Sequence, residues 1–436
     1  MKIGFVISFL DFRNDVRRLI ATSATHCDVV VFVKKEDTKS ALHYLSDKVT
    51  FRTIDEAKTS LSNFIWKRVY FLFREIPKSR DNFLLMEYFK LSLTKSPFQK
   101  KKNYVLLLLL KWLPKCISYD YYLSQLQPAG RTKLEDIDQF TFFTAVADDH
   151  LLARVLKENR PVKVYVYSWD HPYKHTCFSK KVNYLVGNDQ ARNVLAHLHH
   201  LRLDQIQVAG TSQFGYLHEF QHRSQTAPYY PRPYFYFGCG VGIQELAYQE
   251  VKLISAMATL LASSRPEMLL VVRPYPFLQD LRIFDNLRNR ANVTFDDHYR
   301  NDDLSTSEQD IQEKLNKMLH ATAFFHIGTT MGLEACLLDV PSFLIALEPA
   351  PSQHLSLYHF AHQAQNEEYL MRLAPTNTLT SLEEVLTVLK SSNLDKYRKL
   401  NEKIQEVFPI NSFEAIASRV ADSPVHLNSA TDERQN

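Results

Sequence analysis

Residues 323–348 read AFFHIGTTMGLEACLLDVPSFLIALE, and the reading of the whole chain works outward from them. Ala323 to Ile327 is an apolar run of strand length, Gly328 breaks it, and Met331 to Leu338 is apolar on nearly every side, as a short helix buried between layers would be. Pro341 then stops the helix, and Ser342 to Leu347 restarts a strand. Strand, tight turn, helix and strand in succession make a βαβ half-unit. The turn offers the hydroxyls of Thr329 and Thr330 together with backbone N–H groups at a helix start, where the dipole favours an anion such as a diphosphate. Glu334, in the first turn, is placed to reach ribose hydroxyls beside it. The competing reading is that Thr330 and Glu334 only cap the helix.

A chain of 436 residues exceeds one ordinary core, and two large units fit it best at roughly 150 residues per domain as a loose guide. A hydrophobic content of 45% and a charged content of 23% are ordinary for a soluble globular enzyme, with disorder expected only in the polar tail, 422–436. Glycine is scarce, at 10 residues, so each glycine turn is a stronger functional candidate than usual; GCGVG at 238–242, with Gly240 at its centre, is a second candidate anion cradle. The five cysteines are scattered and form no C-x-x-C pair, which points to a reducing compartment and no structural zinc. The N-terminus reads as a first strand rather than a secretory signal. The longest greasy run, Val105 to Leu110, is far too short to span a membrane. The expected location is cytoplasmic.

The chain opens with a strand at Lys2 to Phe9, a polar turn, a helix at Val16 to Ala24 and a strand at Cys27 to Val33, the start of a parallel α/β sheet. That first turn, LDFRND, has no glycine-rich fingerprint, so it is expected to face an acceptor rather than a pyrophosphate. Residues 67–115 carry twelve Lys or Arg against Glu75, Asp81 and Glu87, interleaved with aromatics. This basic insertion, about 60–125, suits an anionic membrane surface, an acidic polymer or a solvated helical face. Nucleic acid is not expected, since the net charge is only +4 and no nucleic-acid motif is present. The α/β rhythm returns at 148–209, and Pro228, Pro231 and Pro233 mark a linker. A second sheet starts at Tyr234, giving domains at 1–228 and 229–421. Asp136, Ile137 and Asp138 read as solvated surface, and His197, His199 and His200 as a helix end.

The blocks SWDHPYKH (168–175), YLVGNDQARNVLAHLHHLRLDQIQVAGTSQFGYL (184–217), VVRPYP (271–276) and HIGTTMGLEACLLDVPSFLIAL (326–347), in this order, resemble GT-B glycosyltransferases of bacterial surface-carbohydrate biosynthesis (O-antigen, lipopolysaccharide, capsule). CDP-glycerol glycerophosphotransferases are similar at a greater distance. The resemblance implies an α/β fold of two Rossmann-like domains whose parallel sheets face each other across a cleft. The C-terminal domain would hold a CMP- or NDP-sugar and the N-terminal one a glycan or lipid-linked acceptor. No cofactor and no metal are implied, since the nucleotide-sugar is itself the substrate. The FRND turn is similar to the family's N-terminal loop and puts Arg13 and Asn14 on the acceptor side, while His359 matches a histidine near the donor. Two positions depart from the family: Tyr275 stands where a histidine is usual, and His171 where an asparagine is.

Sugar transfer needs a base for the acceptor hydroxyl and positive groups for the departing phosphate. Asp170 and His171, on a loop after a strand, suit the first task, with Asp11 and Asp15 as rivals. Arg273, Thr329 and Thr330 suit the second, with Gly240 and Tyr275 beside them. Two alternatives share this fold, a non-hydrolysing nucleotide-sugar epimerase and a binding subunit without activity; a glycerophosphotransferase is a third.

Overall fold

Two all-parallel sheets organise the computed structural model, which describes residues 1–7, 14–34, 49–55, 60–74, 96–98, 101, 105, 118–127, 130, 132–144, 148–174, 178–223, 227–240, 242, 244–276, 278, 280–297, 307–347, 369, 371–373 and 375–422. The first contains β1 (Lys2–Val6), β2 (Asp28–Val33), β3 (Val49–Thr53), β4 (Gln139–Phe143), β5 (Val162–Val166), β6 (Asn183–Val186) and β7 (Ile206–Val208), in the order β3-β2-β1-β4-β5-β6-β7. The second contains β8 (Tyr234–Gly238), β9 (Leu269–Arg273), β10 (Val293–Phe295), β11 (Ala323–His326), β12 (Ser342–Ile345) and β13 (Thr378–Leu379), in the order β10-β9-β8-β11-β12-β13. In both, the strand order reverses between the first strand and the fourth, which is the doubly wound arrangement. Strands covered on both faces read as near-continuous apolar runs, and VVVFV, VYV and FLI do so.

The described residues of 1–80, 96–218 and 409–436 form one unit and those of 219–408 the other. In the second, β8 reads YFYFG, and strand alternation sends its phenylalanines to one face and its tyrosines to the other. Phe235 and Phe237 join Phe325, Phe343, Ile254, Met257 and Leu261 in a core with no solvent exposure, each such side chain contributing about 1.5–3 kcal/mol. Tyr234 and Tyr236 point into a polar layer under the helix Glu308–Leu319, where Tyr234 Oη donates to the Lys317 carbonyl at 2.5 Å and Tyr236 Oη to the Asp296 carboxylate.

The last of the described helices, Phe413–Ala421, departs from the sequence-based division at 229–421, because it belongs to the first unit. Its Phe413 ring meets Tyr216 edge-on at 5.0 Å and lies against Gly215, where an added Cβ would sit 2.7 Å from the ring. Lys163 Nζ, from β5, donates to the carbonyls of Arg419 (3.2 Å), Val420 (3.2 Å) and Asp422 (2.5 Å), and Gln139 Nε2 donates to Val420 at 2.9 Å. The strands of the first sheet thus supply the cap that the last carbonyls of a helix need.

Candidate functional site

The stretch 323–348 folds as its pattern predicts, within a residue at most boundaries: β11 ends at His326, a helix runs Thr330–Leu337, and β12 begins at Ser342. Gly328 holds φ at +107°, a value that L side chains rarely adopt and that aims the chain back over the strand end. Thr329, rather than Thr330, caps the helix, its Oγ1 accepting from Met331 N at 3.4 Å. β8 and β11 are neighbours at the reversal point of the second sheet, so the turns that follow them meet there. A Cβ on Gly240 would come within 3.3 Å of the Gly328 carbonyl oxygen. Crevices outside the carboxyl ends of strands at such a reversal are where open α/β sheets bind ligands.

The charged residues expected at this place are engaged elsewhere. Arg273, at the end of β9, donates to Asp296 at 2.8 Å and to Asp310 at 2.5 Å, with only 11% of its side chain exposed; the phosphate expected there is replaced by two of the protein's own carboxylates. Lys317, 1% exposed, holds the other oxygen of Asp296 at 2.6 Å. Burial alone would raise the Asp296 carboxyl, but Arg273 and Lys317 outweigh it and hold it at about 2. Glu334, expected to reach ribose, is buried and takes Lys314 Nζ at 2.6 Å. Gly240 N donates at 2.9 Å to Oε1 of Glu250, a fully buried side chain, so this amide of the GCGVG turn is satisfied within the protein and not by an anion from outside. Tyr275 is half-buried against the apolar core.

The sequence reading missed His326. Its ring is buried, and its Nδ1 accepts from Gly328 N at 3.1 Å and Thr329 N at 3.4 Å. The ring fits only because Gly332 has no side chain: a Cβ there would lie 2.4 Å from Nε2. A histidine closing an apolar strand six residues before a helix glycine is the signal that was available.

In the first unit the loop after β5 carries Asp170 and His171. Ser168 Oγ donates to Asp170 Oδ1 at 2.6 Å, and the His171 ring meets Tyr167 edge-on at 4.6 Å. Asp15, in the first turn of the helix Asn14–Ser23, accepts from Ser212 Oγ at 2.7 Å, and the Asn14 carbonyl accepts from Tyr216 Oη at 3.1 Å. The Asn14 side chain accepts from Arg17. Tyr165 Oη joins the same end of the sheet, donating to the Gly210 carbonyl and accepting from Ser212 N, both at 2.8 Å. Asp11, Arg13 and His359 lie outside the described residues. Asp136 is bound in ion pairs with Arg52 (2.5 Å) and Lys2 (3.1 Å). His199 is buried against the Pro172 carbonyl.

Three solved structures illustrate what this architecture resembles. A protein assigned as a UDP-N-acetylglucosamine 2-epimerase of Listeria monocytogenes aligns at 11% identity and a TM-score of 0.51, over 96% of this chain and 94% of that one. S. aureus MnaA, solved with UDP, aligns at 10% identity and a TM-score of 0.51 over the same shares. The calicheamicin glycosyltransferase CalG4 follows at 11% identity and a TM-score of 0.46, over 96% and 97%. No protein-family model matches the chain, and no curated protein matches it in sequence. At such identities the likeness is one of fold: the protein has the GT-B fold of two Rossmann-like units. Among the described residues no helix is long and apolar enough to cross a membrane.

Proposed function

We propose that the second unit binds a nucleotide-activated sugar and that the protein transfers the sugar to a glycan or lipid-linked acceptor held by the first unit, in the making of a surface polysaccharide. The observation that carries this reading is the meeting of the Gly240 and Gly328 turns at the reversal point of the second sheet. The hydroxyls of Thr329 and Thr330 and the start of the helix Thr330–Leu337 hold the donor phosphate; Arg273 and Glu334 support that wall from below through their own ion pairs. The UDP in the S. aureus neighbour supports a nucleoside diphosphate as leaving group. Asp170 or Asp11 takes the proton of the attacking hydroxyl, and the reaction uses no bound metal and no cofactor. The epimerase names of the two neighbours with the higher TM-scores favour one second reading, conversion of the sugar on the nucleotide itself.

The helix Leu61–Arg74 adds a membrane component. It turns Asn63 and Trp66 toward the body of the first unit and leaves Leu61 76%, Phe64 57% and Ile65 48% exposed. The basic run that starts at Lys67 complements anionic lipid, at ~1 kcal/mol per cation near the surface. These features support a reading in which the enzyme works on the cytoplasmic face of a membrane, where a lipid-linked acceptor is reached.

A melting series with CMP, CDP, UDP and GDP, followed by turnover of the matching nucleotide-sugar, tests the reading. The expected result is stabilisation by one nucleotide and nucleotide release that needs acceptor glycan. Indifference to all four nucleotides overturns the donor site, and an epimerised sugar formed without acceptor replaces transfer by epimerisation. Sedimentation with vesicles containing phosphatidylglycerol, expected at low salt and lost at high salt, tests the membrane component; a protein that stays in solution at low salt removes it.

A further inference from the structure

The turn that closes β11 is held from behind. His326 occupies the last position of the strand, with its ring packed under the helix Thr330–Leu337 beside Gly332. One ring atom, Nδ1, takes the backbone N–H groups of both Gly328 and Thr329. Two amides at a helix entrance would otherwise be orphans, and here they converge on a single neutral acceptor that belongs to the fold.

We infer that His326 is the positioning residue of the donor-phosphate turn: by accepting the Gly328 and Thr329 amides it fixes the backbone that presents the Thr329 and Thr330 hydroxyls. The inference rests on the donor-site reading above and adds to it the part that sets the turn's shape. An Nδ1 lone pair exists only while that nitrogen carries no proton, so the working tautomer has its hydrogen on Nε2. Burial keeps the ring in that neutral state by pushing its pKa down to about 3. Gly332 is part of the same device, because any larger residue there would displace the ring from its seat. Anion contact is thereby assigned to the hydroxyls of Thr329 and Thr330, since the Gly328 and Thr329 amides turn to His326 and those of Met331 and Gly332 to Thr329.

The chemistry of the acceptor gives a test that a mere packing role would not pass. In His326→Asn the Oδ1 atom takes the place of Nδ1 and can accept the same two amides; His326→Gln puts its acceptor one bond further out; His326→Phe keeps the ring and removes the acceptor. Amide hydrogen exchange at Gly328 and Thr329 is expected to quicken by roughly tenfold or more in the Phe and Gln variants and to return toward the wild-type rate in the Asn variant. Affinity for UDP, or for whichever nucleotide stabilises the wild type, should follow the same order, with the Asn variant within about threefold of wild type. Equal exchange in the Phe and Asn variants overturns the inference, as does unchanged exchange in the Phe variant. If the wild type binds no nucleotide, the donor-site reading fails instead, and the exchange pattern alone decides whether His326 sets the turn.

Discussion

Beneath the helix Glu308–Leu319 in the second unit, Arg273 and Lys317 are buried against the carboxylates of Asp296 and Asp310; at the seat of the last helix in the first unit, Lys163 is buried against carbonyl oxygens. The first arrangement matches full charge with full charge, two cations to Asp296, Asp310 and, 3.6 Å from Lys317, Glu313, and Lys314 with Glu334 adds a balanced pair. The second matches a full charge with the negative end of a helix dipole. Cations already matched by the protein's own carboxylates have no charge to lend to a phosphate, which makes the arginine of VRPYP a fixture of the fold. A lysine facing dipoles keeps a charge that depends on pH: burial pushes its ammonium from 10.5 down to about 8, against the pull of Asp422.

The largest expected effect comes from breaking the ionic layer. Arg273→Met takes the guanidinium from Asp310 and leaves Asp296 with Lys317 and the Tyr236 hydroxyl, and stripping one partner from a buried pair costs about 3–5 kcal/mol. The melting temperature should fall by several degrees or more, while nucleotide affinity, measured below the transition, should change by less than about threefold. A variant that melted like wild type but lost tenfold in affinity would break the comparison, and Arg273 would be the phosphate ligand that its sequence block suggests.

Lys163→Met should cost less, about 1–3 kcal/mol for helix carbonyls left without their donor, and its signature is a pH dependence. In the folded protein Lys163 releases its proton near 8, while the unfolded chain keeps it to 10.5. Between those values the unfolded state binds more protons, so folded stability rises with pH through that window. Below about 8 the cost of burying the charge is present in full. The wild-type stability curve should therefore gain on the Lys163→Met curve from pH 8 to 10.5, other titrations being common to both. Parallel curves would mean that the carbonyls keep Lys163 charged throughout, and the two regions would then hide charge equally well.

Apolar runs and breakers made most strands of both sheets legible in the sequence, though not β3, β4, β10 or β13, because a strand covered on both faces announces itself in consecutive residues such as Val29 to Val33 or Phe324 and Phe325. The turn at Gly328 was legible for the same reason. What was not legible is pairing: nothing local says that Arg273 will meet Asp296 and Asp310, or that Glu334 will meet Lys314, since those contacts form only when β9 pairs with β10 and the helix Glu308–Leu319 docks on the sheet. His326 was hidden inside a run read as apolar, and its role depends on Gly332 six residues further along, in the next helix. The return of Phe413–Ala421 to the first unit was equally invisible, because an amphipathic helix shows that it needs a seat and not which seat it takes.

The N-termini of two helices sharpen the comparison with the smallest effects. Ser412 caps Phe413–Ala421, the helix whose other end Lys163 holds, by accepting from Ala415 N at 3.1 Å. Thr329 caps Thr330–Leu337, the helix that carries Glu334, by accepting from Met331 N at 3.4 Å. Losing a good cap costs about 1 kcal/mol. The longer contact at Thr329 is a poorer hydrogen bond, so Thr329→Ala should cost about half as much as Ser412→Ala. Binding should rank the other way: Thr329→Ala removes a hydroxyl proposed for the donor phosphate and should weaken nucleotide affinity by about threefold to tenfold, whereas Ser412→Ala leaves it unchanged. Melting temperature and nucleotide titration on the pair read both rankings at once. Should Thr329→Ala melt as low as Ser412→Ala and bind nucleotide as wild type does, its hydroxyl serves only as a helix cap, and the phosphate would rest on the Thr330 hydroxyl and the helix dipole alone.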